Sequence, residues 1–251
     1  MFTALPTYSR RFDFRLGWGL PALAMSALLL FDPTELDFSL ARLFYTPTDG
    51  FIGRHSFWLE NILHDRAKQA IILLAAIAAL GLLAGALIPR LRAWRRPLGY
   101  LLLAMSLSTA IVSPLKMLTE VHCPWSLSEF GGAETHTSLL AQRAPTTHPG
   151  RCWPGGHASA GFSLFALYFA LRDRRPRDAH IALGVALGLG SVFSFGRMMQ
   201  GAHFLSHNLW TMLLDWTICL ICYRVILYRV PIEENTPGPL LEPAAIPETS
   251  V

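Results

Sequence analysis

Residues 196–208 read GRMMQGAHFLSHN and lie between two long apolar segments. The stretch holds Arg197 and two histidines, His203 and His207, whose four-residue spacing places both on the same side of a helix. Ionisable groups at the edge of a membrane span are costly and usually mark a functional site. Two further clusters, 116–124 (KMLTEVHCP) and 151–157 (RCWPGGH), also border apolar segments. We therefore expect a fold that brings the three clusters together on one side of a membrane.

The composition is that of a membrane protein. Of the 251 residues, 52% are hydrophobic and 15% are charged, and the mean hydropathy is +0.37. A soluble domain carries about 25% charged residues, and here the charges are missing from long continuous runs. The positive residues lie in short groups between these runs and form no single patch. They therefore indicate membrane topology, and no nucleic-acid partner is predicted.

Six apolar segments predict an all-α, polytopic membrane helical bundle with about six transmembrane helices. They are 16–31, 71–88, 98–115, 157–171, 181–195 and 204–227. Segments 36–45 and 57–63 place aromatic residues and leucines beside charges at helical spacing, which is typical of an interfacial amphipathic helix. The predicted organisation is a cytoplasmic arm at 1–15, a six-span domain at 16–229 and a disordered, Pro-rich cytoplasmic tail at 230–251.

The distribution of lysine and arginine predicts the orientation. With six spans, thirteen of the 21 Lys and Arg residues lie on the side of the termini, many of them in the short loops 90–96 and 172–177. Short loops rich in arginine stay cytoplasmic. No cleavable signal peptide is evident. We expect a multi-pass protein of a bacterial inner membrane, with both termini cytoplasmic and the three clusters on the periplasmic face.

The clusters are suited to binding an anion. The predicted outer face collects six basic or imidazole side chains and two glycines ahead of a helix: Lys116, Arg151, His157, Arg197, His203, His207, Gly155 and Gly156. A helix N-terminus offers unpaired N–H groups to phosphate oxygens, and guanidinium groups supply paired donors. Two histidines can divide nucleophilic attack and proton donation between them.

Three blocks of sequence resemble the signature of the type 2 phosphatidic acid phosphatase family, which shares its site with vanadium haloperoxidases. The first, 116–124, has the family's Lys, six residues, Arg-Pro, with cysteine for arginine. The second, 154–157, has Pro-Ser-Gly-His with glycine for serine. The third, 196–207, has Ser-Arg, five residues, His, three residues, Asp, with glycine for serine and histidine for aspartate. The resemblance covers the core of the predicted domain, 98–215.

The resemblance implies a metal-independent lipid phosphatase without a cofactor, acting on a phosphomonoester or pyrophosphate of a membrane lipid. His203 would be the nucleophile that forms a phosphohistidine, and His157 would be the general acid and later the base. Lys116, Arg197 and the N–H groups near Gly155 and Gly156 would hold the phosphate. His207 occupies the place of the family's aspartate, which orients the nucleophile; Asn208 is a second candidate for that role.

Cys123 lacks the charge of the arginine that it replaces, and Arg151 is the candidate to fill this gap. Cys123 and Cys152 lie in one polar loop that would face an oxidising compartment. We predict a disulfide between them that ties the first block to the second.

Three alternatives stay open at the level of sequence. The replacements at Cys123 and His207 are compatible with a non-catalytic lipid-phosphate binding or transport protein, and a lipid phosphoryltransferase would use the same chemistry. A metal site of His157, His203 and His207 has a suitable H-x-x-x-H spacing, but no glutamate follows the first histidine as in zinc peptidases. The sequence decides neither the lipid, among phosphatidate, phosphatidylglycerol phosphate, isoprenyl pyrophosphate and lipid A phosphate, nor the oligomeric state.

Overall fold

The computed structural model describes residues 9–54, 56–59, 67–143 and 148–230. Within these ranges the chain is mainly helical and has one short hairpin, in which β1 (Tyr45–Thr46) pairs with β2 (Gly50–Phe51). The helices are α1 (Phe14–Leu30), α2 (Thr34–Arg42), α3 (Ala67–Leu87), α4 (Arg95–Ala110), α5 (Val112–Thr119), α6 (Gly156–Phe162), α7 (Phe165–Leu171), α8 (Pro176–Met199) and α9 (Leu205–Ile226). Most of the predicted arm and tail, and residues 60–63 of the second amphipathic segment, lie outside the described residues.

The helices form a membrane bundle, as predicted. Four helical stretches of the described chain are long and apolar enough to cross a membrane: Gln69–Leu87, Pro89–Ser126, Pro176–Met199 and Leu205–Ile226. α1 and α2 add a fifth if this pair, bent by 85°, is one span. The segment Gly156–Leu171, which contains α6 and α7, is apolar but shorter. All six predicted segments are therefore helical, and four or five of the described spans are long and apolar enough to cross a membrane.

The helices that carry the three sequence blocks are joined at the centre of the bundle. Ser159 of α6 lies with its Oγ 3.1 Å from the carbonyl oxygen of Ser108 in α4 and 3.3 Å from Oδ1 of Asp215 in α9. On another side, Gly161 of α6 faces Gly190 of α8 so closely that a Cβ at residue 161 would lie 2.4 Å from the Gly190 nitrogen. These contacts fix α4, α6, α8 and α9 relative to one another.

The two ends of the bundle differ in character. The C-terminal ends of α5 and α8 and the N-terminal ends of α6 and α9, which carry the three blocks, lie together at one end. At the other, Arg172 contacts Asp173, the hydroxyl of Tyr223 and the backbone oxygens of Arg10 and Arg11. The arm, the α7–α8 loop and the end of α9 therefore meet at the end opposite the blocks.

α2 corresponds to the first predicted amphipathic segment, 36–45, and begins and ends earlier than predicted. Its buried face carries Asp37, Phe38 and Ala41. Asp37 accepts a hydrogen bond from the backbone nitrogen of Ser206 at 2.9 Å and another from the Ser206 hydroxyl. Phe38 stacks on Phe204 with the ring centroids 5.4 Å apart. α2 is thus attached to the start of α9.

Candidate active site

A cavity of about 430 Å³ lies between α3, α4, α5, α6 and α8. Its polar end is formed by Lys116, Gly156, His157 and Arg197, and its apolar wall includes Ile71, Ile72, Ala75, Met105 and Phe193. Ile72 lines the cavity although 56% of it is exposed, so the cavity opens to the surface beside α3. The site therefore combines cationic and imidazole groups with an apolar entrance.

Lys116 reaches the cavity from the last turn of α5, beside the start of α6. A Cβ added at Gly156 would lie 3.7 Å from the Lys116 nitrogen and 3.3 Å from Cγ1 of Val112. A side chain at Gly156 would therefore occupy the space next to the ammonium group. Glycine at this position leaves room for a ligand between the lysine and the first turn of α6.

Arg197 projects from the last turn of α8 and is held on two sides. Its Nη1 donates to Oε1 of Gln200 at 2.7 Å, and its guanidinium carbon lies 5.8 Å from the ring centroid of Trp125. Gln200 is 4% exposed, so this hydrogen bond is shielded from solvent. Arg197 is thereby presented in a fixed orientation, with Trp125 and Gln200 as supporting residues that sequence reasoning missed.

His203 lies behind the cavity in the loop between α8 and α9 and is 3% exposed. Burial, followed by the positive field of Lys116 and then the neighbouring His207, Arg197 and His157, lowers its pKa well below 6.5. The imidazole is therefore neutral at neutral pH, the state that a nucleophile needs. Among the described residues, Nδ1 of His203 has no hydrogen-bond partner.

Neither His207 nor Asn208, the two candidates to orient His203, forms a hydrogen bond with Nδ1 of His203. The rings of His203 and His207 lie with their centroids 6.0 Å apart, and Nδ1 of His207 has no hydrogen-bond partner in the described part of the chain. The amide nitrogen of Asn208 donates to the carbonyl oxygen of Phe204 at 3.0 Å. The direct contact that an aspartate at residue 207 would provide is therefore not formed by either side chain.

Two predicted phosphate ligands lie away from the cavity. The backbone nitrogen of Gly155 donates to Oγ1 of Thr211 at 2.8 Å, so this N–H group is directed at α9 and does not face the cavity. Arg151 is exposed and lines a separate surface depression beside Cys123 and His122. In this structure Arg151 does not replace the arginine missing from the first block.

The loop between α5 and α6 is joined by the predicted disulfide. Cys123 and Cys152 are bonded, with their Cα atoms 5.1 Å apart. The backbone nitrogen of Cys152 also donates to the carbonyl oxygen of Val121 at 2.9 Å. The segment after Lys116 is thus held against the segment that leads to His157, so the disulfide helps to position two sides of the cavity.

Polar residues of α4 and α5 also line the cavity and were missed by sequence reasoning. They are Ser106, Thr109 and Ser113, which precede Lys116 at intervals of three and four residues. This spacing places polar groups on one face of an otherwise apolar span. The signal was present in the sequence and indicates a polar stripe leading to Lys116.

Comparison with known families identifies the chain. The model of the PAP2 superfamily matches residues 97–231, which is more than half of the 251 residues. The chain belongs to the PAP2 superfamily. The match covers the helices that form the cavity apart from α3 and includes all three blocks. Comparison with curated proteins finds no significant match. Comparison with solved structures finds none either.

Membership of the PAP2 superfamily makes this protein a membrane protein of the phosphatase type. The resemblance inferred from the three blocks is thus confirmed, in spite of the replacements at Cys123 and His207. In the described residues, no group of three or more His, Cys, Asp or Glu side chains is arranged to hold a metal ion.

Proposed function

We propose that this PAP2 superfamily protein is an integral-membrane lipid phosphatase that removes phosphate from a phosphomonoester or pyrophosphate of a lipid. The observation that carries the proposal is the cavity, which has Lys116, His157 and Arg197 at one end and an apolar wall along α3. An anionic head group can occupy the polar end while its hydrocarbon chain remains against the apolar wall. A phosphate ester without a hydrocarbon chain would bury no such apolar surface against that wall, so the wall would not strengthen its binding.

The proposed chemistry uses two histidines in two steps. Nε2 of neutral His203 attacks phosphorus, the bond from phosphorus to the leaving oxygen breaks, and His157 donates a proton to that oxygen. His157 then takes a proton from water, the water oxygen attacks phosphorus, and the N–P bond breaks to release phosphate. Lys116 and Arg197 balance the charge on the phosphoryl oxygens, which is most of what phosphoryl transfer requires from a protein.

Phosphate release from lipid phosphates by the purified protein in detergent tests the proposal. The panel contains phosphatidate, phosphatidylglycerol phosphate, isoprenyl pyrophosphate and lipid A, with and without chelator. We expect turnover of at least one lipid that survives the chelator and is lost in His203→Ala. Wild-type protein quenched in alkaline denaturant should carry phosphate on His203, which mass spectrometry at alkaline pH would detect because a phosphohistidine hydrolyses in acid.

His180→Ala is the matched control, because His180 is exposed near the start of α8, at the end of the bundle away from the cavity. It should keep wild-type turnover. Loss of turnover on chelation would favour a metal site instead. Binding of lipid phosphate without release of phosphate by the wild type would refute hydrolysis and favour the binding or transport function.

We further propose that the cavity lies at the periplasmic end of a bacterial inner-membrane protein. The support is the asymmetry of the bundle: the arginine-rich loops at 90–96 and 172–177 belong to the end opposite the cavity, and such loops stay cytoplasmic. Fusion of a fluorescent reporter and of a periplasm-dependent reporter after residue 230 tests the orientation. Activity of only the periplasm-dependent reporter would place residue 230 in the periplasm and would refute the proposed orientation.

A further inference from the structure

Two buried ring nitrogens beside the catalytic cavity lack hydrogen-bond partners. Within the described ranges these are Nδ1 of His203 and Nδ1 of His207, in side chains that are 3% and 6% exposed. The other ring nitrogen of His207 is engaged with the backbone of Cys152. Buried polar atoms in native proteins are almost always satisfied, and ordered water commonly supplies the partner. The two Nδ1 atoms are therefore candidates for contacts with water.

A second, smaller cavity lies behind His207 and has room for water beside that ring, and His203 lies next to His207 but does not line this cavity. Its volume is about 120 Å³, and one water molecule occupies about 30 Å³ in the liquid. The cavity is lined by Asp32 and Asp37 from the region of α2, by His136 and neighbouring hydroxyl residues of the α5–α6 loop, and by Ser206 and His207 of α9. A lining of carboxylates, hydroxyls and imidazoles offers each water several polar partners.

Asp37 is the buried carboxylate of this second cavity. It is 5% exposed and accepts hydrogen bonds from the backbone nitrogen and the hydroxyl of Ser206, the residue before His207. His136 lies across the cavity, with its ring 5.1 Å from that of Phe38. The titratable groups that face His207 are thus Asp32, Asp37 and His136 on this side, and His203 and Lys116 on the catalytic side.

We propose that the second cavity is a hydrated proton-relay site in which His207 receives the Nδ1 proton of His203 and Asp37 compensates the resulting charge. The inference rests on the proposed phosphatase function and deepens it. Asp37 acts on the reaction only through His207, so it is a positioning residue. In such a relay the negative charge lies on Asp37, behind His207. An aspartate at residue 207 would place that charge directly beside His203.

Every proton that the relay moves returns to its starting atom by the end of the reaction. Attack by Nε2 on phosphorus leaves the His203 ring with a positive charge and a proton on Nδ1. This proton passes through water to Nδ1 of His207, which becomes an imidazolium opposite the Asp37 carboxylate. When water breaks the N–P bond, the electron pair returns to Nε2 of His203 and the proton returns from His207 to Nδ1. Both histidines then regain their starting states.

The test compares kcat and KM for turnover of p-nitrophenyl phosphate and of the four lipids of the panel. Asp37→Asn keeps a side-chain oxygen for Ser206 but removes the charge, and we expect kcat to fall about tenfold while KM stays near the wild-type value. Glu35→Gln is the matched control, because it removes the same charge from an exposed position of α2. It should leave both constants unchanged.

His207→Asp provides the second arm. It places a carboxylate next to His203, so Asp37→Asn should cost little in this background. Wild-type kcat in Asp37→Asn, or an equal loss in both backgrounds, would overturn the relay while leaving the phosphatase function intact. Absence of turnover in every variant, wild type included, would overturn both proposals.

Discussion

Replacement of Gly161 by alanine should damage the candidate active site from a distance. Gly161 lies in the middle of α6, and a Cβ there would be 2.4 Å from the nitrogen, 2.6 Å from the Cα atom of Gly190 and 2.8 Å from the carbonyl carbon of Leu189. These are backbone atoms of α8 and cannot rotate away as a side chain can. α6 carries His157 at its first turn and α8 carries Arg197 at its last turn, so separation of the two helices changes the spacing of these residues.

The size of the effect follows from the contact distances. Non-bonded heavy atoms are at their optimum at about 3.5–4.0 Å, so α6 must move from α8 by about 1 Å. Overpacking of this kind costs about 1–3 kcal/mol of stability. Misplacement of catalytic groups by about 1 Å can cost about a hundredfold in rate. We therefore expect Gly161→Ala to lower kcat/KM for lipid phosphate by roughly two orders of magnitude.

The assay is phosphate release in detergent, together with the midpoint of thermal unfolding. Gly188→Ala in α8 is the matched control, since nothing lies within 4 Å of a Cβ at that residue. Alanine there should raise helix stability slightly and leave activity unchanged. Wild-type kcat/KM in Gly161→Ala, or an equal loss in Gly188→Ala, would refute the close contact of α6 and α8 as the determinant of the site.

Two further predictions concern stability, and the loss of helical circular dichroism on heating measures it in both cases. The folded pKa of His203 is lowered, so below about pH 6.5 the unfolded chain binds a proton that the folded protein does not, and stability falls as the pH falls. His203→Gln should flatten this dependence between about pH 7.5 and about pH 5; an unchanged slope would contradict it. Reduction of the disulfide between Cys123 and Cys152, which are 29 residues apart in sequence, should cost about 3–4 kcal/mol and lower activity; an unchanged unfolding midpoint would contradict the stabilising role.

The sequence by itself determined the fold class, the superfamily and four of the residues that line the larger cavity. The apolar runs predict the spans because lipid surrounds each span. Within a span, each helix satisfies its own backbone hydrogen bonds. The order and spacing of the three blocks then identified Lys116, Gly156, His157 and Arg197 as residues of one site. These conclusions depend on local properties of the chain, and they did not require the packing of the helices.

Only the tertiary structure decided which neighbours those residues have. It directs Gly155 at Thr211, leaves Arg151 on the surface and places the rings of His203 and His207 edge to face. It also brings Asp37 to Ser206 across 169 positions of the chain. Such contacts depend on the rotation of each helix about its axis and on the path of the loops. Both are fixed by packing between distant segments, for which a single sequence carries no local pattern.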